Sequence, residues 1–209
     1  MDKITEQLSL TRIIPVVVLH DTTEAKPLAQ ALCNGGLPCA EITFRTEVAA
    51  DCIRIMSKEF PDMLIGAGTV LTPAHADLAM KAGAKFIVSP GFNPAVVKHC
   101  IKKKYPIFPG INNPSDIEAA LTFGLTLLKF FPAEASGGLE MIKALSAPYP
   151  QVRFMPTGGI NLSNLHTYLA NDRVTACGGT WMVKEDLIKD GKFDEIQRLT
   201  EEAVRTVRN

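Results

Sequence analysis

What this 209-residue chain lacks narrows its function before any motif is read. It has no surplus of either charge: 22 Lys and Arg balance 22 Asp and Glu, for a formal net charge of zero. Such a surface does not advertise nucleic acid or an anionic membrane as a partner. No apolar run reaches the roughly 18 residues that a membrane span needs. The N-terminus, MDKITEQLSLTRIIP, begins polar and has no apolar core ahead of a small-residue cleavage site. It does not read as a signal peptide. The five cysteines (Cys33, Cys39, Cys52, Cys100, Cys177) are odd in number, scattered and free of CxxC spacing. They read as free thiols of a reducing cytoplasm. The histidines His20, His75, His99 and His166 form no HxH, HxxxH or HExxH pattern, so no histidine-rich metal site is expected. No linker, low-complexity tract or break in composition divides the chain. One domain over residues 1–209 is expected, and 46% hydrophobic residues are enough to fill its core.

What is present is an alternation. The strand-like runs RIIPVVVL, CAEITF, MLIGAG, KFIVS, PIFPG, TLLKFF, VRFMPTGG and VTACGG are separated by helical patterns. TTEAKPLAQALCNGG, for example, reads as a helix capped by Thr22 or Thr23. In NGGLPCAEIT, KAGAKFIVSP and FGLTLLKFFP, a helix-ending glycine precedes an apolar strand, as a left-handed C′ residue would. Strict βα alternation predicts a parallel sheet. Eight units predict an α/β protein closed as a (β/α)8 TIM barrel, with the short helix DKITEQLSL plugging its floor.

In such a barrel, chemistry gathers at the C-terminal strand ends. EITFR puts Glu41, Thr43 and Arg45 on one face by strand alternation. An inward carboxylate and guanidinium fit an internal salt bridge and a functional pair equally well. Thr69, after GAG, either binds a carboxylate or simply begins the next turn. PTGGI and CGGTW end the seventh and eighth strands, the recurrent phosphate site of this architecture. Glycine pairs there expose backbone N–H groups, and two of them with Thr180 alongside favour a phosphate. In the sixth strand, Lys129 stands among leucines and phenylalanines. Taken alone, it reads as a snorkelling lysine. With Glu41, Arg45 and two glycine pairs converging on one rim, it reads as a nucleophile. Apolar surroundings favour a neutral amine, and a neutral amine attacks a ketone. Phe131 is open between core and site cover, Glu134 between site mouth and loop surface, and Trp181 reads as packing.

The motifs EITFRT, GAGTVLTP, VSPGFNP, PIFPGI, LKFFPAEASGG, RFMPTGGI and GGTWMV run in order from about Arg12 to Val183. They resemble the 2-keto-3-deoxy-6-phosphogluconate (KDPG) aldolases, some of which double as 4-hydroxy-2-oxoglutarate (KHG) aldolases. The resemblance implies a class I, metal-independent lyase without a cofactor, commonly a homotrimer, acting on a phosphorylated keto acid. It also implies roles. Lys129 is the Schiff-base lysine and Glu41 the proton shuttle. Arg45 and Thr69 are ligands of the pyruvate carboxylate, with Thr157 against the same pocket. Gly158, Gly159, Gly178, Gly179 and Thr180 form the phosphate end. Two features depart from the family pattern: Thr180 stands where serine is frequent, and Asn112 and Asn113 stand where small hydroxyl residues are usual. Other readings stay open: a sibling aldolase for the galactonate epimer, a metal-dependent aldolase, a phosphosugar isomerase or epimerase, and a non-catalytic phosphoester-binding barrel.

Overall fold

The computed structural model describes residues 3–208. Met1, Asp2 and Asn209, which the expected single domain includes, lie outside the described residues. The alternating pattern resolves into α1 (Lys3–Thr11), β1 (Ile13–Val17), α2 (Ala25–Asn34), β2 (Cys39–Thr43), α3 (Ala49–Glu59), β3 (Leu64–Gly68) and α4 (Pro73–Ala82). It continues with β4 (Phe86–Val88), α5 (Pro94–Lys102), β5 (Ile107–Phe108), β6 (Gly110–Ile111), α6 (Pro114–Thr122), β7 (Leu127–Phe130) and α7 (Gly138–Ser146). Last come β8 (Arg153–Pro156), α8 (Leu162–Leu169), β9 (Cys177–Gly179), α9 (Glu185–Lys189) and α10 (Phe193–Arg208). All the strand pairs are parallel, in a six-stranded sheet ordered β5-β4-β3-β2-β1-β9 and a three-stranded sheet ordered β6-β7-β8. This is an α/β fold. Parallel bridges from Phe154 to Val174 and from Thr157 to Gly178 join β8 to the segment holding β9.

The expected fifth strand, PIFPG, is split into β5 and β6 at Pro109. Proline has no N–H to give to a ladder, so the run breaks there. Its carbonyl still works, accepting the Lys129 N–H at 3.0 Å. The cap of the second helical segment also differs from expectation. Asp21, not a threonine, caps a short 3₁₀ turn over Thr22–Glu24 that runs into α2. Its carboxylate takes the Thr23 N–H while Glu24 reaches back to the N–H groups of His20 and Asp21. The sequence D-x-x-E is a capping box, and a carboxylate there also suits the helix dipole. The three expected left-handed glycines are present, with φ of 80° at Gly36, 100° at Gly83 and 73° at Gly124.

Strands covered on both faces carry nearly continuous apolar runs. Phe86, Phe130 and Phe154 are the bulkiest fully buried side chains, and helices cover the strands with residues such as Leu28, Ile53, Val96 and Leu165. Helix α1 buries Leu8. Its Thr5 shares a cavity of about 580 Å³ with Ile107, Leu127 and Arg153, at the N-terminal strand ends, as a floor helix would. Close packing explains Gly66: a Cβ there would lie 2.2 Å from the Phe86 ring. Gly66→Ala is therefore expected to cost about 1–3 kcal/mol by overpacking, read as a lower urea midpoint with an unchanged slope.

Candidate active site

Strands β2 and β7 supply the two groups at the heart of the site. Glu41 lies mid-strand in β2, paired in register with Val16 and Gly66. Lys129 lies in β7 between Gly110 and Met155. Across 88 residues of sequence, Lys129 Nζ donates to Glu41 Oε1 at 3.1 Å. Their side chains are 7% and 3% exposed. Lysine is almost never buried this deeply without a partner, and Glu41 is that partner. The Phe131 ring lies close by, its centroid 5.4 Å from the amine, and lines the same cavity. Phe131 thus covers the site rather than joining the core, which settles a point the sequence leaves open. Room for the Glu41 carboxylate comes from β3. A Cβ on Gly68 would sit 2.1 Å from Oε1. The glycines of GAG are therefore clearance for Phe86 and Glu41.

Arg45 departs from the expected strand alternation. Strand β2 ends at Thr43, so Arg45 lies in the following turn and is exposed. Its Nε faces Thr69 Oγ1 across a long contact of 3.4 Å. Thr69 has a φ of 54°. That is a left-handed conformation which a β-branched residue adopts only under strain of about 1–3 kcal/mol. The flanking backbone bonds Phe44 N–H to Gly68 O and Val70 N–H to Val88 O hold it there. Arg45, Thr69, Lys129, Thr157, Gly158, Gly159, Gly179 and Thr180 line one cavity of about 200 Å³. Pro90, Val16 and Ile160 line it too and are missed by the sequence reading. The signal for Pro90 was its place at the end of VSP, a strand end like the others.

The two glycine pairs do different work. Gly158 and Gly159 have φ of 99° and 82°. The carbonyls of Thr157 and Gly158 accept the N–H groups of Ala133 and Glu134. The parallel bridge between Thr157 and Gly178 turns the Gly158 N–H onto the β9 backbone, whereas among the described residues no acceptor takes the Gly159 N–H. Gly178, by contrast, does not line the cavity. Its missing Cβ makes room for Thr157, whose Oγ1 would lie 2.3 Å away. Gly179 similarly clears the Trp181 ring, so Trp181 packs as expected. Asn113 is committed to the N-cap of α6, taking the Asp116 N–H at 3.0 Å. Thiol chemistry has no place here. Burial pushes Cys100 up to about 11 and Cys52 and Cys177 up to about 12, and such thiols are inert.

The family model for KDPG and KHG aldolase matches residues 4–199. The chain belongs to the KDPG and KHG aldolase family. Among relatives, a 2-dehydro-3-deoxy-phosphogluconate aldolase of Treponema pallidum is 51% identical over 99% of both chains. A KDPG aldolase structure from Legionella pneumophila, with pyruvate captured as a covalent carbinolamine, superposes with a TM-score of 0.93. It is 39% identical and the match covers 97% of this chain and 98% of that one. A Zymomonas mobilis KDPG aldolase with 3-phosphoglycerate gives 0.90 at 41% identity, over 97% and 95% of the two chains.

Within this member of the KDPG and KHG aldolase family, the buried ion pair makes a stability prediction. Removing one partner leaves the other charge uncompensated, at about 3–5 kcal/mol, whereas replacing both with apolar residues is often neutral. Lys129→Met is expected to lower unfolding free energy by that order. The double variant Lys129→Met, Glu41→Leu is expected to recover most of it in urea unfolding.

Proposed function

We propose that this chain is a class I aldolase that cleaves KDPG to pyruvate and glyceraldehyde 3-phosphate through a Schiff base on Lys129, with 4-hydroxy-2-oxoglutarate as a second substrate. The observation that carries this reading is the buried contact of Lys129 Nζ with Glu41 Oε1 at 3.1 Å, behind a cavity rimmed by Arg45 and the glycines. The covalent carbinolamine of the Legionella relative supports the same chemistry.

A proton passing from the ammonium to the carboxylate leaves two neutral groups and no net charge in the interior. The freed amine adds to the C2 ketone, and Glu41 protonates the resulting oxygen. The carboxylate then takes a proton from the nitrogen and gives it to the carbinolamine hydroxyl. Water leaves, and a protonated imine remains. The imine draws in the electron pair of the C3–C4 bond as Glu41 takes the C4 hydroxyl proton. Glyceraldehyde 3-phosphate departs, and Glu41 gives its proton to C3 of the enamine. Hydrolysis releases pyruvate and restores the pair. Arg45 and Thr69 hold the pyruvate carboxylate, with Thr157 against the same pocket, and so orient the ketone toward Lys129. Gly158, Gly159, Gly179 and Thr180 take the phosphate, and Gly178 supports them from behind Thr157.

The fold is read here as one closed (β/α)8 barrel in a single domain, residues 1–209. Supporting this are the single-residue gap between β5 and β6 and the bridges from β8 toward β9. The five free cysteines suit a reducing cytoplasm. The family resemblance supports a homotrimer, for which light scattering is expected to give three times the chain mass.

Borohydride with pyruvate is expected to trap an adduct that peptide mass mapping locates on Lys129. An untrapped wild type, or a Lys129→Ala variant with full cleavage activity, overturns the mechanism. Glu41→Gln is expected to lower kcat by about 10²–10⁴, and an unchanged kcat removes Glu41 as the shuttle. Cleavage is expected to survive chelator, which a metal-dependent aldolase would not.

A further inference from the structure

Two peptide units decide where the phosphate cradle points. In a trans peptide, the carbonyl of one residue and the N–H of the next lie on opposite edges of one plane. The Thr157 carbonyl is held by Ala133 N–H at 2.8 Å and the Gly158 carbonyl by Glu134 N–H at 3.1 Å. The N–H groups of Gly158 and Gly159 therefore face away from the loop that follows β7. The Gly159 carbonyl is tied as well, by Asn161 Nδ2 at 3.2 Å and Asn164 Nδ2 at 3.1 Å. The Gly158 N–H is taken up by the bridge of Thr157 with Gly178, so the free donor is that of Gly159, and its direction depends on Glu134 staying in place.

Glu134 sits in an exposed 3₁₀ turn, Glu134–Ser136, which ends at Gly137 with a φ of 98°. Short turns of this kind have little to hold them. Beyond its backbone bonds to Gly158 and Gly137, Glu134 is held by its side chain. The Tyr168 hydroxyl of α8 donates to its Oε1. Tyr168 is 2% exposed, so its ring is fixed by the core and only its oxygen reaches the loop. Burial, and then the Glu134 carboxylate, hold this phenol well above its ordinary range, as a committed donor to a carboxylate would be. Two glycines make room for the contact. A Cβ on Gly138 would lie 3.0 Å from both Glu134 Oε1 and the Tyr168 hydroxyl, and one on Gly159 would lie 2.5 Å from Glu134 Cγ.

We propose that Tyr168 and Glu134 form a positioning latch: by fixing the Glu134 backbone, it aims the Gly159 N–H at the phosphate monoester of the substrate. The latch touches neither the Lys129 amine nor the carboxylate end of the pocket. It deepens the phosphate part of the function proposed above and rests on that reading of the cavity.

The test compares wild type with Tyr168→Phe, Glu134→Ala and Glu134→Gln. Each is titrated with glycerol 3-phosphate, an inert phosphate monoester. Each is then assayed on KDPG and on 4-hydroxy-2-oxoglutarate, which carries no phosphate. Tyr168→Phe keeps the buried ring, and Glu134→Ala changes an exposed position, so both are expected to fold. Both are expected to weaken glycerol 3-phosphate binding and raise KM for KDPG by about tenfold, the worth of one charge-assisted hydrogen bond. Kinetics on 4-hydroxy-2-oxoglutarate are expected to stay unchanged. Glu134→Gln keeps an acceptor for the phenol and is expected to behave as wild type. Unchanged phosphate affinity in the first two variants overturns the latch. An equal loss on the unphosphorylated substrate also overturns it, because that marks general loosening. Wild type that does not bind glycerol 3-phosphate overturns cradle and latch together. The titration requires no turnover, so failure of the Schiff-base reading shows up separately, in the borohydride experiment.

Discussion

The buried contact between Lys129 and Glu41 constrains the whole molecule. Removing two charges from water costs several kcal/mol per ion unless geometry and neighbours compensate. The partners lie 88 residues apart, so the contact exists only once β2 and β7 are both in place and in register. Neighbouring strands show the consequences. Gly68 in β3 has no side chain because the Glu41 carboxylate fills that space. Gly110, in register with Lys129, has none because the Pro90 carbonyl would lie 2.1 Å from a Cβ there. Pro109 interrupts the strand beside Lys129, yet its carbonyl accepts the Lys129 N–H, so the break in the ladder leaves the reactive residue anchored.

Around this pair the rim is graded in rigidity. Glu41 and Lys129 stand on paired strands, and site residues on regular elements are held more tightly than those on loops. Arg45, Thr69, Gly158 and Gly159 stand on turns beyond the strand ends. Those turns are not slack. Thr69 keeps an unfavourable backbone conformation because both flanking residues are tied to neighbouring strands. The Gly158 carbonyl is fixed by the Glu134 N–H, which leaves the Gly159 N–H on the opposite edge of the same peptide available. Strain and committed hydrogen bonds do for the rim what sheet pairing does for the core.

Local chemistry was legible in the sequence, and long-range pairing was not. Alternating strands and helices, the glycine C′ positions and the inward orientation of Lys129 follow from side-chain periodicity and backbone freedom, which act over a few residues. Arg45 shows where that logic stops: alternation carries a side chain inward only while the strand lasts, and β2 ends at Thr43. The Thr22 or Thr23 cap gave way to Asp21 because a carboxylate closes the capping box with Glu24. Pairs of glycines looked equivalent as text, yet one frees the Gly159 N–H and the other clears Thr157 and Trp181. Only the packing distinguishes them. Tyr168 left no functional signal at all, since a tyrosine on the buried face of an amphipathic helix reads as core until its hydroxyl is seen to reach Glu134, 34 residues away.

The division between strand-borne and loop-borne groups bears on the breadth of the family. Its two named substrates share a 2-keto acid end and differ at the other, where one carries a phosphate and the other does not. In this chain the groups proposed for the shared end are the buried pair with Arg45 and Thr69, on β2, β7 and the turns after β2 and β3. Those proposed for the variable end lie just after β8, at the end of β9 and just beyond it. They meet the first set across the substrate, through the backbone of the β7 loop, and through the pairing of β8 with β7 and of β9 with β1. A change at the glycine end can therefore alter which aldehyde is accepted while the register of β2 and β7, and with it the Lys129–Glu41 contact, stays as it is. The reverse does not hold. A change that moves β7 moves Lys129 and also moves Ala133 and Glu134, on whose N–H groups the glycine cradle depends. On the proposed roles, lysine chemistry is thus the fixed part of this site and phosphate recognition the adjustable part.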